Sequence, residues 1–181
     1  HAVYCGFQDE TNARNFPGLN FSRSDMAAAV DYAHRRGTKV FIAINTFPRA
    51  GAATLWHRAV DDAAALAADA VILADIGLLA YAAGHYPDLR LHLSVQAAAA
   101  SPEAIRFYVD AFGVKRVVLP RVLSVAEIAD INGAISCETE VFVFGGLCVM
   151  AEGRCSLSSY VTGLSPNMNG VCSPASHVGY H

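Results

Sequence analysis

Charge is scarce in this chain. Lysine and arginine together number 13 and aspartate and glutamate 16 among 181 residues, so 16% of the chain is charged and the net charge is −3. Arg35-Arg36 and Lys115-Arg116 are the longest basic runs. Holding a phosphate backbone needs clustered cations, so binding nucleic acid through bulk charge is excluded and any such contact has to be local. Long hydrophobic runs are missing too. The twelve residues between Asp75 and Asp88 are interrupted by Gly77, His85 and Pro87, too short and too broken for a bilayer core. The chain opens on His1 and runs directly into Ala-Val-Tyr-Cys-Gly, with no basic stretch leading an apolar one, so no secretory signal is read in it. Five cysteines are an odd number and do not suit a disulfide framework, which leads us to expect a reducing, cytoplasmic setting. What is abundant is apolar residues: 54% of the chain, with a mean hydropathy of +0.32, enough for a substantial core. Disorder is excluded.

The apolar residues fall into a repeating strand-helix pattern. Short β-branched runs at Ala2 to Phe7, Val40 to Ile44, Ala70 to Leu73, Leu89 to Val95, Arg116 to Leu119 and Glu140 to Phe144 read as strands. Between them, Asp25 to Arg36, Ala53 to Ala68, Leu78 to His85, Pro102 to Phe112 and Ser124 to Asn132 repeat apolar residues at three- and four-residue spacing and read as helices. Their ends carry start and stop signals: Ser22 or Ser24 before the first helix and Gly37 after it, Ser101-Pro102, and Ser124 with Glu127 as a capping box. Strands linked by helices with short loops make right-handed crossovers and a parallel sheet.

Polar residues end successive strands: Asn45, Asp75, Ser94 with Gln96, and Arg121. Alternation predicts that His92, Ser94 and Gln96 share one face while Leu91, Leu93 and Val95 meet the helices. A (β/α) TIM-like barrel gathers its site at these strand ends, which makes Asn45, Asp75, Gln96 and Arg121 candidate site residues. Strand ends are also where any chain leaves its core and turns polar. A complete barrel of this kind takes about 250 residues. Six visible units therefore predict a barrel truncated at both ends.

No Lys, Arg, Asp or Glu occurs from Cys155 to His181, yet the stretch is rich in Ser, Gly, Pro and Asn and reads as an ordered loop region. Cys148, Cys155 and Cys172 form C-x6-C-x16-C among Gly145, Gly146, Gly153 and Gly170. Glycines beside a thiolate let backbone N–H groups approach it, as cluster sulfurs and thiolate-bound metals require. The spacing matches neither zinc ribbons nor the ferredoxin run, and three ordinary core cysteines are the alternative. Cys5 and Cys137, in or beside strands, are assigned to the core.

The run Glu140-Val141-Phe142-Val143-Phe144-Gly145-Gly146-Leu147-Cys148, followed by Glu152-Gly153-Arg154-Cys155, Ser165-Pro166-Asn167 and Gly170-Val171-Cys172-Ser173-Pro174, resembles the signature of the peptidase U32 family. The opening Tyr4-Cys5-Gly6, Asp9 to Phe16 and Gly18-Leu19-Asn20-Phe21 resembles its UbiU-type ubiquinone-biosynthesis branch, as do Ile42 to Phe47, Ser94-Val95-Gln96-Ala97 and Val118 to Ser124. The resemblance implies a barrel-like domain over 1–147 and an iron-sulfur cluster-binding segment over 148–181. It further implies a [4Fe-4S] cluster on Cys148, Cys155 and Cys172 with a fourth cysteine beyond His181, a UbiV-like partner in a heterodimer, and oxygen-independent hydroxylation of the ubiquinone ring precursor. The family also contains collagenase-like peptidases. The chain has neither G-x-S-x-G nor H-E-x-x-H, and His92 is the one candidate base, with a hydrogen-bonded core histidine as the alternative. A third reading makes the barrel a scaffold with a structural cluster, the partner supplying the chemistry.

Overall fold

The computed structural model describes residues 1–15, 18–145, 148 and 150–172. Six parallel strands, β1 (Ala2–Gly6), β2 (Lys39–Ile44), β3 (Ala70–Leu73), β4 (Leu91–Leu93), β5 (Arg116–Val118) and β6 (Glu138–Glu140), pair in sequence order. The crossovers are α1 (Arg23–His34), α2 (Thr54–Ala65), α3 (Ile76–His85), α4 (Pro102–Phe112) and α5 (Val125–Ala134). Residues from β1, β2, β3, β5 and β6 and from the end of β4 line a single cavity. A flat sheet cannot do that, so the sheet is curled into a half-barrel.

The helix starts are local chemistry. Ser22, Ser101 and Ser124 accept the N–H of Asp25, Ala104 and Glu127, and the Glu127 carboxylate returns a bond to the Ser124 N–H at 2.7 Å. This is the expected capping box. Helix α2 has no side-chain cap and is held instead by burial of Trp56, Ala59, Val60 and Ala63, one stripe at helical spacing. The strands' outward residues, Val40, Ile42, Ile44, Val71, Leu73, Leu91, Leu93 and Val117, pack with the helices in the main core. The inward face has a smaller apolar layer of Phe41, Ala43, Ala70 and Ile72.

Two strands and the tail depart from expectation. Strand β4 ends at Leu93, because the Ser94 hydroxyl accepts the Gln96 N–H and turns the chain into a 3-10 turn over Val95–Ala97. Alternation therefore stops there, and Val95 lines the cavity rather than meeting the helices. Strand β6 is Glu138–Glu140, upstream of the expected Glu140 to Phe144. Glu138 and Glu140 face Arg116 across the ladder, and Glu138 also reaches Arg90, so ion pairing sets the register while the apolar run beyond leaves the sheet. Finally, the tail is more than loops. It contains α6 (Ser156–Thr162) and α7 (Pro166–Asn169), each closed by a left-handed glycine, Gly163 and Gly170. Phe16, Gly146, Leu147, Ser173 and Pro174 of the family-like runs lie outside the described residues. Among the described residues, no helix is long and apolar enough to cross a membrane.

Candidate functional site at the strand ends

The polar residues ending the strands have divergent fates. Asp75 accepts the Leu78 N–H at 2.9 Å as the N-cap of α3 and does not line the cavity. Asn45 and Gln96 line the cavity and Arg121 lines the adjoining groove, each holding a loop in place. The Asn45 Oδ1 accepts the Ala13 N–H at 3.0 Å, and the Gln96 Oε1 accepts the Gly153 N–H at 2.9 Å. Arg121 donates to the Glu152 Oε1 from its backbone N–H at 3.0 Å and from Nε at 2.9 Å. Glu152 is 7% exposed. Burial pushes its carboxyl up, but the two Arg121 donors outweigh that and hold it below the usual carboxylate range.

The tail is bolted down by further bonds. Cys172 donates its N–H to the Ala13 carbonyl at 2.9 Å, Asn15 donates to the Gly170 carbonyl at 2.9 Å, and Arg14 and Val171 form an antiparallel bridge. Phe47 donates to the Asn167 carbonyl, and the Asn167 amide donates to the Gly153 carbonyl. Sequence reasoning missed Glu152 and Asn167 as members of this network. Each is an unremarkable polar residue until the fold brings its partner across. The loop after β1 is stapled separately, by Asn20 and Asn12 bonding the backbone of Gly6 and Arg14. Its Asn-rich composition was a readable signal for such turns.

This scaffold brings the three tail cysteines towards one another. Cys155 is the N-cap of α6, its sulfur accepting the Ser158 N–H at 3.5 Å. Burial raises the Cys172 pKa, Cys155 and Cys148 raise it further, and Arg14 and Arg121 pull it back. The three thiols therefore share one electrostatic neighbourhood with two guanidiniums. Soft sulfur donors brought together near N–H groups and cations suit a thiolate-ligated cluster in kind. Among the described residues, the thiols approach without closing to metal-ligand geometry. Cys5 and Cys137 are different: burial pushes Cys5 up to about 11 and raises Cys137, and both pack against the main core.

Beside the thiol group, at the C-terminal ends of the strands, lies a cavity of about 430 Å³. Its lining is largely apolar, from Tyr4, Ile72, Val118, Val141, Phe142 and Phe144, and its polar members are Asn12, Arg14, Asn20, Asn45, Ser94, Gln96 and Glu140. Phe144 is 99% exposed, a large aromatic surface offered to whatever enters.

Deeper in the half-barrel, His92 is fully buried, and its Nε2 accepts from the Arg90 Nε at 3.0 Å. The ring proton therefore sits on Nδ1, which has no partner among the described residues. Burial, then Arg116 and Arg90, lower its pKa to about 4. It is a core histidine and is not placed to act as a base. Since an unfolded histidine titrates near 6.5, the unfolded chain binds more protons between pH 6.5 and 4, and stability falls as pH drops through that window. Carboxylates held low, such as Glu138 and Glu152, lose their contribution only as pH falls through the ordinary carboxylate range, so the comparison is made above it. We expect a loss of about 2 kcal/mol between pH 6.5 and 5, and His92→Phe should flatten it. Chemical denaturation of both proteins at the two pH values checks this. Parallel losses would assign the effect to other groups.

Compared with known families, residues 1–181 match Peptidase family U32. The chain is 33% identical to tRNA hydroxylation protein P of Escherichia coli (strain K12) over 181 residues, 99% of this chain and 39% of that protein. It is 34% identical to the 23S rRNA 5-hydroxycytidine C2501 synthase of the same organism over 182 residues, 99% of this chain and 26% of that protein. The chain thus spans about two fifths or less of the length of these relatives. A solved U32 peptidase superposes with a TM-score of 0.63 at 20% identity, covering 77% of this chain and 59% of that one. At that identity the likeness concerns the fold.

Proposed function

The chain belongs to peptidase family U32, and from that premise we propose that it is part of an iron-sulfur protein that hydroxylates the ubiquinone ring precursor without oxygen, together with a UbiV-like partner. The observation that carries this reading is the cavity wall. Tyr4, Ile72, Val118, Val141, Phe142 and Phe144 offer apolar and aromatic surface to a ring bearing a hydrocarbon tail, while Asn45, Ser94 and Gln96 in the same lining can orient a ring oxygen. A cluster on Cys148, Cys155 and Cys172, completed by a further ligand, would supply one-electron transfer beside that cavity. The chain's own part is to position. Gln96 and Arg121 hold the segment that leads into Cys155, and Asn45 holds the loop after β1, whose Ala13 carbonyl accepts the Cys172 N–H. Hydrolysis of peptides has less support. Among the described residues, the side-chain bonds of His34, His85 and His92 go to Asp69, the Tyr81 carbonyl and Arg90, none to a serine or cysteine nucleophile.

A second reading, hydroxylation of a base in tRNA or rRNA, is favoured by the names of the relatives. Against it stand the net charge of −3 and the apolar wall. Deleting the gene in its host and growing without oxygen separates the two. The quinone reading expects anaerobic ubiquinone to fall to a small fraction of wild type, with aerobic ubiquinone kept. Normal anaerobic ubiquinone with missing hydroxylated nucleosides would overturn it in favour of RNA.

A further inference from the structure

Cations around the mouth are mostly committed. Arg121 is bound to Glu152, Arg116 to Glu138 and Glu140, and Arg49 to Glu10. Arg14, which lines the cavity itself, is not. Its backbone is fixed on both sides, the N–H donating to the Asn12 Oδ1 at 2.8 Å and the carbonyl accepting from the Asn20 Nδ2 at 2.7 Å. Its exposed guanidinium makes no hydrogen bond or ion pair with any described residue. It lines both the main cavity and an adjoining groove of about 400 Å³, in the company of Tyr4, Phe142 and Phe144. A cation held by its backbone, unpaired at its head and set in an apolar wall has the makings of an anion-recognition residue. Next to low-dielectric surface, the planar fork gains most from a ligand oxyanion it can bond with two N–H groups.

We infer that Arg14 is the specificity-determining residue of this cavity and takes a carboxylate carried by the aromatic ring of the substrate. The inference rests on the ring-hydroxylation reading and adds to it which form of the ring is selected. The strand-end pattern made Arg121 the arginine among the candidate site residues. Its bonds to Glu152 remove it, and Arg14, on the loop after β1, supplies the free fork. Arg14 also acts electrostatically on Cys172.

The test is calorimetric titration of the intact protein, prepared without oxygen, with two probes: 4-hydroxybenzoate carrying a short prenyl chain, and its methyl ester. Wild type should bind the acid about 10-fold more tightly than the ester or better. Arg14→Gln should bind the two alike, with unchanged ester affinity and thermal midpoint, and Arg14→Lys should keep part of the preference. Arg106→Gln, on the outer helix α4, should behave as wild type. Equal binding of acid and ester by wild type, or a preference that survives Arg14→Gln, would overturn the inference while leaving the ring reading standing. Binding of neither probe, with salt-dependent binding of a tRNA stem-loop instead, would overturn both.

Discussion

Protein prepared without oxygen is expected to hold about four irons per chain, and replacing any one of Cys148, Cys155 or Cys172 with Ala is expected to remove most of them. The reasoning combines spacing and fold. C-x6-C-x16-C is by itself compatible with three separate core cysteines, but in the folded chain Cys148 and Cys155 act electrostatically on Cys172, as do Arg14 and Arg121. Cys5 and Cys137 pack on the main core instead, against the helices that flank the sheet. Cys5→Ala and Cys137→Ala should therefore keep the iron. Iron and sulfide analysis of the five variants decides the matter. Full iron in all three tail variants would refute the ligand assignment, and zinc in place of iron would favour a structural site.

A comparable loss is expected from two substitutions that touch no cysteine. Gly153 and Gly170 have φ of +70° and +68°. A Cβ on Gly153 would collide with the Gln96 carbonyl, and one on Gly170 with the Asn12 carbonyl and, at 2.9 Å, with the Asn15 Cβ. The left-handed backbone alone costs an alanine about 1 kcal/mol. The backbone collisions add to it and cannot be relieved by a rotamer change. Gly170 lies two residues before Cys172 and Gly153 two before Cys155, so relief comes by lifting the tail off the mouth. Gly153→Ala and Gly170→Ala should therefore lose most of the iron while the far-UV helical signal, which comes from the main core, stays near wild type. Gly163 is the control: its φ is also +70°, but a Cβ there meets nothing within 4 Å. Gly163→Ala should keep its iron. Equal iron in all three variants would show that close approach of the tail to the mouth is not what holds the cluster.

The repeating units were legible because their signals are local. A serine followed three residues later by a free N–H caps a helix whatever surrounds it, as Ser22, Ser101 and Ser124 do. Alternation and helical periodicity likewise need only neighbours along the chain, and they placed the parallel units and the outward face of each strand. The misplacement of β6 marks the limit. Val141 to Phe144 is the better strand by composition, but pairing is decided by Arg116 and Arg90, which lie far off in the sequence and draw Glu138 and Glu140 into the ladder.

The same limit governs the site. Asn45, Asp75, Gln96 and Arg121 are equivalent in the sequence, each a polar residue where an apolar run ends. Asp75 is taken by the helix that follows it, a local choice, whereas the other three are taken by Ala13, Gly153 and Glu152, at sequence separations of 32, 57 and 31. The sequence by itself determined the βα repeat, the inward polar end of the strands and the family to which the cysteine-bearing tail belongs. Only the tertiary structure decided which of those polar groups are struts and that the Arg14 guanidinium has no partner among the described residues, because a side chain's role depends on the partner that satisfies it, and these partners are brought within bonding distance only when the sheet curls and the tail folds back across its mouth.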